Sequence, residues 1–336
     1  MPAVTANPLT LPRLPRLPES TTGWRRVAKV VTAERHVEGE GFQVRRPFPT
    51  ASLALADPFL LLDHMGAVEY APGEAMGTPW HPHRGFETVT YMIDGAFQHQ
   101  DTTGGGGVIT DGGTQWMTAA SGIQHIEQPT PELVAKGGLF HGVQLWVNLP
   151  RSKKWLEPRY QDIGPRDVAL VTAEDGSSVV RIIAGALGEH QGPGMTHTPI
   201  NYVHATVAPG ARLALPWPRE FNAMVYVLSG DGVVGREEIG LGEGQFAMLG
   251  GSHFQGEQDG ILLRAADAQP VAGKNGWEVL VLGGLPIREP VARYGPFVMN
   301  TREEIIQAFE DFQAGRMGTV PAQQVPHRTS ADTAVN

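Results

Sequence analysis

Residues 84–95, RGFETVTYMIDG, and residues 219–230, REFNAMVYVLSG, share Arg, Phe, Tyr and Gly at an offset of about 135 residues, the size of one small domain. A second pair, GGTQWMTA (112–119) and GEGQFAML (242–249), repeats the likeness. Around these anchors the text is a series of short apolar runs. Between Thr78 and Leu149 at least five read as strands: FETVTYMIDG, AFQHQD, GVITDGG, TQWMTAASG and GVQLWVNL. Gly-rich turns separate them. A comparable set extends from about Ser178 to Leu285. The expected fold is all-β: two β-barrels of related plan in tandem.

The flanks fit this plan. Residues 27–49 alternate in part and predict strands joined by a turn at Gly39–Gly41, and Asp57–Val68 predicts a buried strand. Near the C-terminus, Thr301 and Glu304 form a capping-box pattern, followed by Ile305, Phe309 and Phe312 at helical spacing and a stop at Gly315. The predicted division is a Pro-rich tail over 1–25, disordered or laid along the surface as a strap, a first barrel over 26–160, a second barrel with the closing helix over 161–318, and a polar tail over 319–336.

Composition narrows the chemistry. The 336 residues include 42 glycines and 27 prolines, which suits short strands and tight turns better than helices. A net charge of -9 disfavours direct nucleic-acid binding. With no cysteine, disulfides and thiolate sites are excluded, and a metal must be held by His, Asp or Glu. No run approaches the length of a membrane span. Residues 1–20 carry repeated prolines and no apolar core of a secretory signal, so a cytoplasmic location is expected. Gly104–Gly107 lacks the Lys and Ser/Thr of a phosphate loop and reads as a turn.

Two ligand pairs stand out. In Trp80-His81-Pro82-His83, alternation along a strand aims both imidazoles at one point. Pro82 cannot donate to a ladder, which places this piece at an edge or strand start. In Gly122-Ile123-Gln124-His125-Ile126-Glu127, a His and a carboxylate stand at i and i+2. If the two strands are neighbours, three nitrogens and one oxygen converge, a donor set for borderline divalent ions such as iron, nickel, copper or zinc. A lone His is more often an ordinary surface residue, but two such pairs beside Gly/Pro turns outweigh that account. At the repeat offset His81 maps to Pro216 and His83 to Pro218, so the second barrel is expected to be metal-free; His253 near the other pair has no partner. Glu87 is taken to share the face of His83 as a ligand or supporting partner. His141 reads as a buried, hydrogen-bonded histidine, Trp116 and Met117 as core, and Arg84 as an anion contact or a salt-bridge partner. His36, His64, His99, His190, His197, His204 and His327 remain unassigned.

WHPHRGFETVTYMIDG, TQWMTAASGIQHIEQ, HGVQLWVNLP and YGPFVMNTREEIIQAFEDFQAGRMG, in that order, resemble the pirin family of the cupin superfamily over roughly Glu34–Gly318. The resemblance implies a bicupin with one Fe(II) in its N-terminal barrel. It implies His81, His83, His125 and Glu127 as ligands, with Glu87 in support rather than in the set. It further implies a quercetin 2,3-dioxygenase-type reaction on a small aromatic substrate, with Glu127 as a proton acceptor. The alternative is a non-enzymatic, redox-sensitive regulator that binds a transcription factor or a metabolic enzyme. Three features depart from the family pattern: the Asp-Gly-Gly turn at 111–113, Ile126, and the long Pro-rich N-terminus.

Overall fold

The computed structural model describes residues 4–38, 41–53, 56–251, 258–270 and 276–325. The predicted Gly39–Gly41 turn falls partly outside these residues, and His253 and His327 lie outside them altogether.

Each repeat is built from a seven-stranded sheet and a smaller one. The first large sheet runs Arg159–Ile163, Thr114–Thr118, Phe86–Asp94, Gly138–Asn148, Phe59–Tyr70, Phe42–Phe48, Glu34–Glu38. The second runs Val27–Thr32, Gln245–Leu249, Ala223–Ser229, Trp277–Gly284, Ile200–Val207, Ser178–Ala184, Ala169–Val171. The two orders match strand for strand. The small sheets share four strands, Thr78–His83, Ile123–Pro129, Phe97–Asp101, Gly106–Ile109 against Arg212–Trp217, Gln258–Ala265, Gly232–Val234, Ile239–Leu241, and the second adds Thr22–Trp24 parallel to Gln258–Ala265. The protein is thus a mostly β bicupin with a short C-terminal helix. A further helix over Pro131–Lys136, capped by Thr130, was not foreseen.

The outer faces of the large sheets are apolar because they face each other. Val89, Tyr91, Ile93, Val143 and Leu145 of the first pack with Tyr202, Met224, Tyr226, Phe246 and Leu280 of the second in one buried cluster. Two buried hydrogen bonds cross this interface in matching fashion: Tyr91 Oη to His204 Nδ1 at 2.9 Å and Tyr226 Oη to His64 Nδ1 at 3.0 Å. Trp116 belongs to this cluster and Met117 to a smaller one, as core residues.

Two boundaries need correction, and the reading of the tail is decided. Val27–Thr32, expected in the first barrel, pairs antiparallel with Gln245–Leu249 of the second, while Arg159–Ile163 fills the corresponding edge of the first. The Pro-rich tail is a strap: Leu14 and Leu17 are buried, Leu14 N–H donates to Thr172 O, and Thr172 N–H donates to Pro12 O. The closing helix, Arg302–Gln313, keeps its predicted capping box but serves the first barrel. Phe297 pairs with Arg84 and Val298 N–H donates to Arg84 O at 3.0 Å. Gln100 Nε2 and Trp80 Nε1 bind Gln323 O and Gln324 Oε1 of the following segment. Each end of the chain therefore covers the other end's barrel.

Candidate metal centre

His81 and His125 are cross-strand partners in the small sheet of the first barrel. Their Nε2 atoms lie 2.9 Å apart. His83, two residues along and on the same face, sets its ring edge-on to that of His81 at 4.7 Å and tilted to that of His125 at 5.0 Å. Nitrogens of all three fall within 4.8 Å of one another. Glu127, His125 and His99 form a second group of the same span, so His125 is common to both. The two predicted pairs therefore lie on two paired strands, with the three histidines in one group and Glu127 grouped with His125 and His99 rather than with His81 and His83.

Hydrogen bonds turn the rings. His81 Nδ1 faces Pro79 O at 2.8 Å and His83 Nδ1 faces Pro296 O at 3.3 Å. Both carbonyls only accept, so each ring carries its proton on Nδ1 and presents the Nε2 lone pair. His125 is backed by His99. Gln115 Nε2 donates to His99 Nδ1 at 2.7 Å, and His99 Nε2 donates to Asp101 Oδ2 at 3.3 Å. His125 Nδ1 faces the same His99 nitrogen at 3.2 Å and competes with Gln115 for its single lone pair. Partners of this kind fix ligand tautomer and raise ligand basicity. Burial holds His83 and His125 well below the ordinary imidazole pKa and lowers His81 as well. Neutral rings are the form that binds a metal. Glu127 is buried; its Oε1 accepts from Thr90 Oγ1 at 3.1 Å, and Gln144 Nε2 approaches Oε2 at 3.4 Å. Three neutral nitrogens and one buried carboxylate fit a borderline divalent cation.

A cavity of about 460 Å³ opens over His81, His83 and Glu127, within the range of small-ligand sites. Its walls are largely apolar, with Phe42, Val44, Leu61, Met65, Phe97 and Trp146. Arg46, held by Asp63 through bonds of 2.6 and 2.5 Å, and Arg293, lying 4.8 Å over the Trp146 ring, supply polar edges.

The matched sequence profiles carry the descriptions "Pirin", over residues 41–147, and "Pirin C-terminal cupin domain", over residues 202–318. A pirin-like protein of Solanum lycopersicum is 39% identical over 300 residues, covering 89% of this chain and 95% of the relative. The chain belongs to the pirin family. Among other pirin relatives, a Pseudomonas aeruginosa protein with a provisional quercetin 2,3-dioxygenase name is 43% identical over 286 residues, covering 84% of this chain and 95% of its own. A crystal structure described as quercetin 2,3-dioxygenase from Acinetobacter baumannii superposes with a TM-score of 0.79 at 36% identity, covering 89% of this chain and all of that one.

Not every sequence expectation for this pirin centre holds. Glu87 does not share the face of His83. Gly85, at φ +91°, separates the two strands and sends them into different sheets. Glu87 points the other way, fully buried, and accepts from Thr118 Oγ1 at 2.7 Å and Thr196 Oγ1 at 2.9 Å. Burial there pushes its carboxyl pKa up. Of the two readings of Arg84 the salt bridge holds, with Asp311 of the closing helix at 2.7 Å, although it is buried. His99 and Gln115 were missed. The alternating burial of Phe97–Asp101 puts His99 and Asp101 inward, a pattern legible in Phe-Gln-His-Gln-Asp had the strand been paired with Ile123–Pro129. The repeat mapping is one residue out: the cross-strand pair filling the second barrel is Leu215–Ile261, both buried in its apolar core.

Proposed function

We propose that this protein is a metal-dependent dioxygenase that opens a flavonol-like, quercetin-type substrate, with one Fe(II) held by His81, His83, His125 and Glu127. The supporting observations are the grouping of His81, His83 and His125, a second group in which Glu127 shares His125, and an apolar cavity lined by His81, His83 and Glu127. The quercetin 2,3-dioxygenase names of relatives and of the Acinetobacter structure supply the substrate class.

A bound divalent ion would act as a Lewis acid on the substrate hydroxyl and offer open positions for oxygen chemistry. The residues do the rest. Phe42, Phe97 and Trp146 present apolar surface to a planar aromatic ring and keep water from it. Thr90 engages Glu127 Oε1, which leaves Oε2 the better placed oxygen to accept the substrate hydroxyl proton. His99 keeps the His125 ring in its inward orientation through Gln115 and Asp101.

Protein loaded anaerobically with Fe(II) and then given quercetin and air is expected to consume both substrates in equal amounts. His125→Ala should lower turnover by about 10³-fold or more, the order of effect seen when a group acting on the transition state is lost. Absence of turnover by wild-type protein with every divalent metal tried would refute the assignment.

A further inference from the structure

The cavity over the metal centre has one guanidinium that its own acids do not hold. Its lining carries two, Arg46 and Arg293, against three carboxylates, Glu38, Asp63 and Glu127. Asp63 and Glu38 both go to Arg46, Asp63 through bonds of 2.6 and 2.5 Å and Glu38 through an ion pair of 2.7 Å. Glu127 is engaged by Thr90 and Gln144. Arg293 forms no ion pair with any described residue, and its one hydrogen bond to them, from Nη1 to Leu60 O, is long at 3.4 Å.

Arg293 is nonetheless held in place. It stands on the short strand Ala292–Tyr294, where it is the cross-strand partner of Val298. Val298 is buried in one cluster with Leu60, Leu61, Phe86 and Trp146. The guanidinium lies over the Trp146 ring at 4.8 Å, and the same ring meets that of His83 edge-on with centroids 5.3 Å apart. One indole thus separates the unpaired cation from a metal ligand. Stacking uses the face of a guanidinium and leaves its N–H edge able to donate.

Charge selects what that edge can take. With His81 and His83 neutral, the ionised groups of the lining carry one excess negative charge, and a divalent ion turns this into one excess positive charge. A ligand with a single negative charge restores the balance. Between largely apolar walls its attraction to the cation is screened less than in water. The planar fork of an arginine matches a carboxylate best.

We propose that Arg293 is a substrate-binding residue and that the substrate is a hydroxylated aromatic carboxylate, whose acid group accepts from Arg293 at the end away from the hydroxyl offered to the metal. The inference rests on the dioxygenase reading and narrows its substrate class; quercetin presents the ring system without the acid.

The test is calorimetric titration of anaerobic, metal-loaded protein with 6-hydroxy-2-naphthoate and with 6-hydroxy-2-naphthamide, bicyclic probes of one shape that differ in charge. Wild type is expected to bind the acid about 10-fold more tightly than the amide, the effect of one charge-assisted hydrogen bond. Arg293→Gln, at an exposed position, should keep its fold by circular dichroism and its metal by elemental analysis, and should bind the two probes alike. The ratio of affinities is the readout, since loss of the stack on Trp146 weakens both probes together. Equal affinities in wild type overturn the proposal, as does failure of the acid to bind. A preference that survives Arg293→Gln also overturns it and would place the carboxylate on the metal. Binding is measured without oxygen, so the two readings fail separately. Turnover of quercetin without a preference for the acid sinks the inference alone, and the preference without turnover of any aromatic sinks the dioxygenase reading alone.

Discussion

Asp311→Ala is expected to lower the unfolding free energy by about 3 kcal/mol, the usual cost of removing one partner from a buried ion pair. Asp311 binds Arg84 Nη1 through Oδ2 at 2.7 Å. Arg316 and Gln307 bind its Oδ1 at 2.7 and 2.8 Å. The Arg84 side chain is only 4% exposed, so its charge cannot turn to water once the carboxylate is gone. Urea unfolding at neutral pH would measure the loss. An acid limb should accompany it. Burial alone would raise the Asp311 pKa, but Arg84, Arg316 and Gln307 outweigh it and bring it to about 2. The unfolded value is about 3.9. Since the folded value is the lower, this contribution is fully present above about pH 4 and is lost as pH falls through about 2. The stability of Asp311→Asn should fall less steeply than that of wild type between those limits. Parallel curves would show that the ion pair does not tie the closing helix to the turn after His83.

Gly85→Ala should be at least as damaging, by about 3 kcal/mol or more. At φ +91° the backbone is in a region that side chains rarely adopt, and an added Cβ would stand 1.9 Å from Val298 O. The chain cannot give way there without cost: Val298 N–H donates to Arg84 O at 3.0 Å, and Lys154 Nζ, buried with its pKa lowered to about 7, bonds Gly85 O at 2.6 Å and Val298 O at 3.1 Å. His83 lies two residues upstream with its Nδ1 proton on Pro296 O. Metal affinity should therefore fall along with stability, by about 10-fold, as when an orienting partner of a ligand is lost. Calorimetry and metal titration on one sample check both. Unchanged melting would mean that the C-terminal return strand is not pressed against this turn.

The pairing of His81 with His83 was legible because strand alternation is local: two residues at i and i+2 share a face whatever the strand pairs with. Glu87 misled for a related reason. Four residues from His83 share its face only in an unbroken strand, and Gly85 breaks this one. His99 and Gln115 gave no comparable signal, since each comes singly from a different strand and acquires meaning only from the pairing of Phe97–Asp101 with Ile123–Pro129. The repeat itself was visible in Arg84–Gly95 and Arg219–Gly230. Its constant offset slipped by one at Leu215 because small changes in strand connections leave no mark in the text. Least legible was the exchange of ends. Val27–Thr32 alternates equally well for either barrel, and only long-range pairing with Gln245–Leu249 decides where it goes.

Elemental analysis of purified wild type beside His83→Ala and Glu127→Ala, with circular dichroism to show that each is folded, tests the central claim most directly. The account predicts about one equivalent of divalent metal in wild type and a loss of most of it in both variants. Full metal occupancy in the two folded variants, or none in wild type after loading, would contradict it.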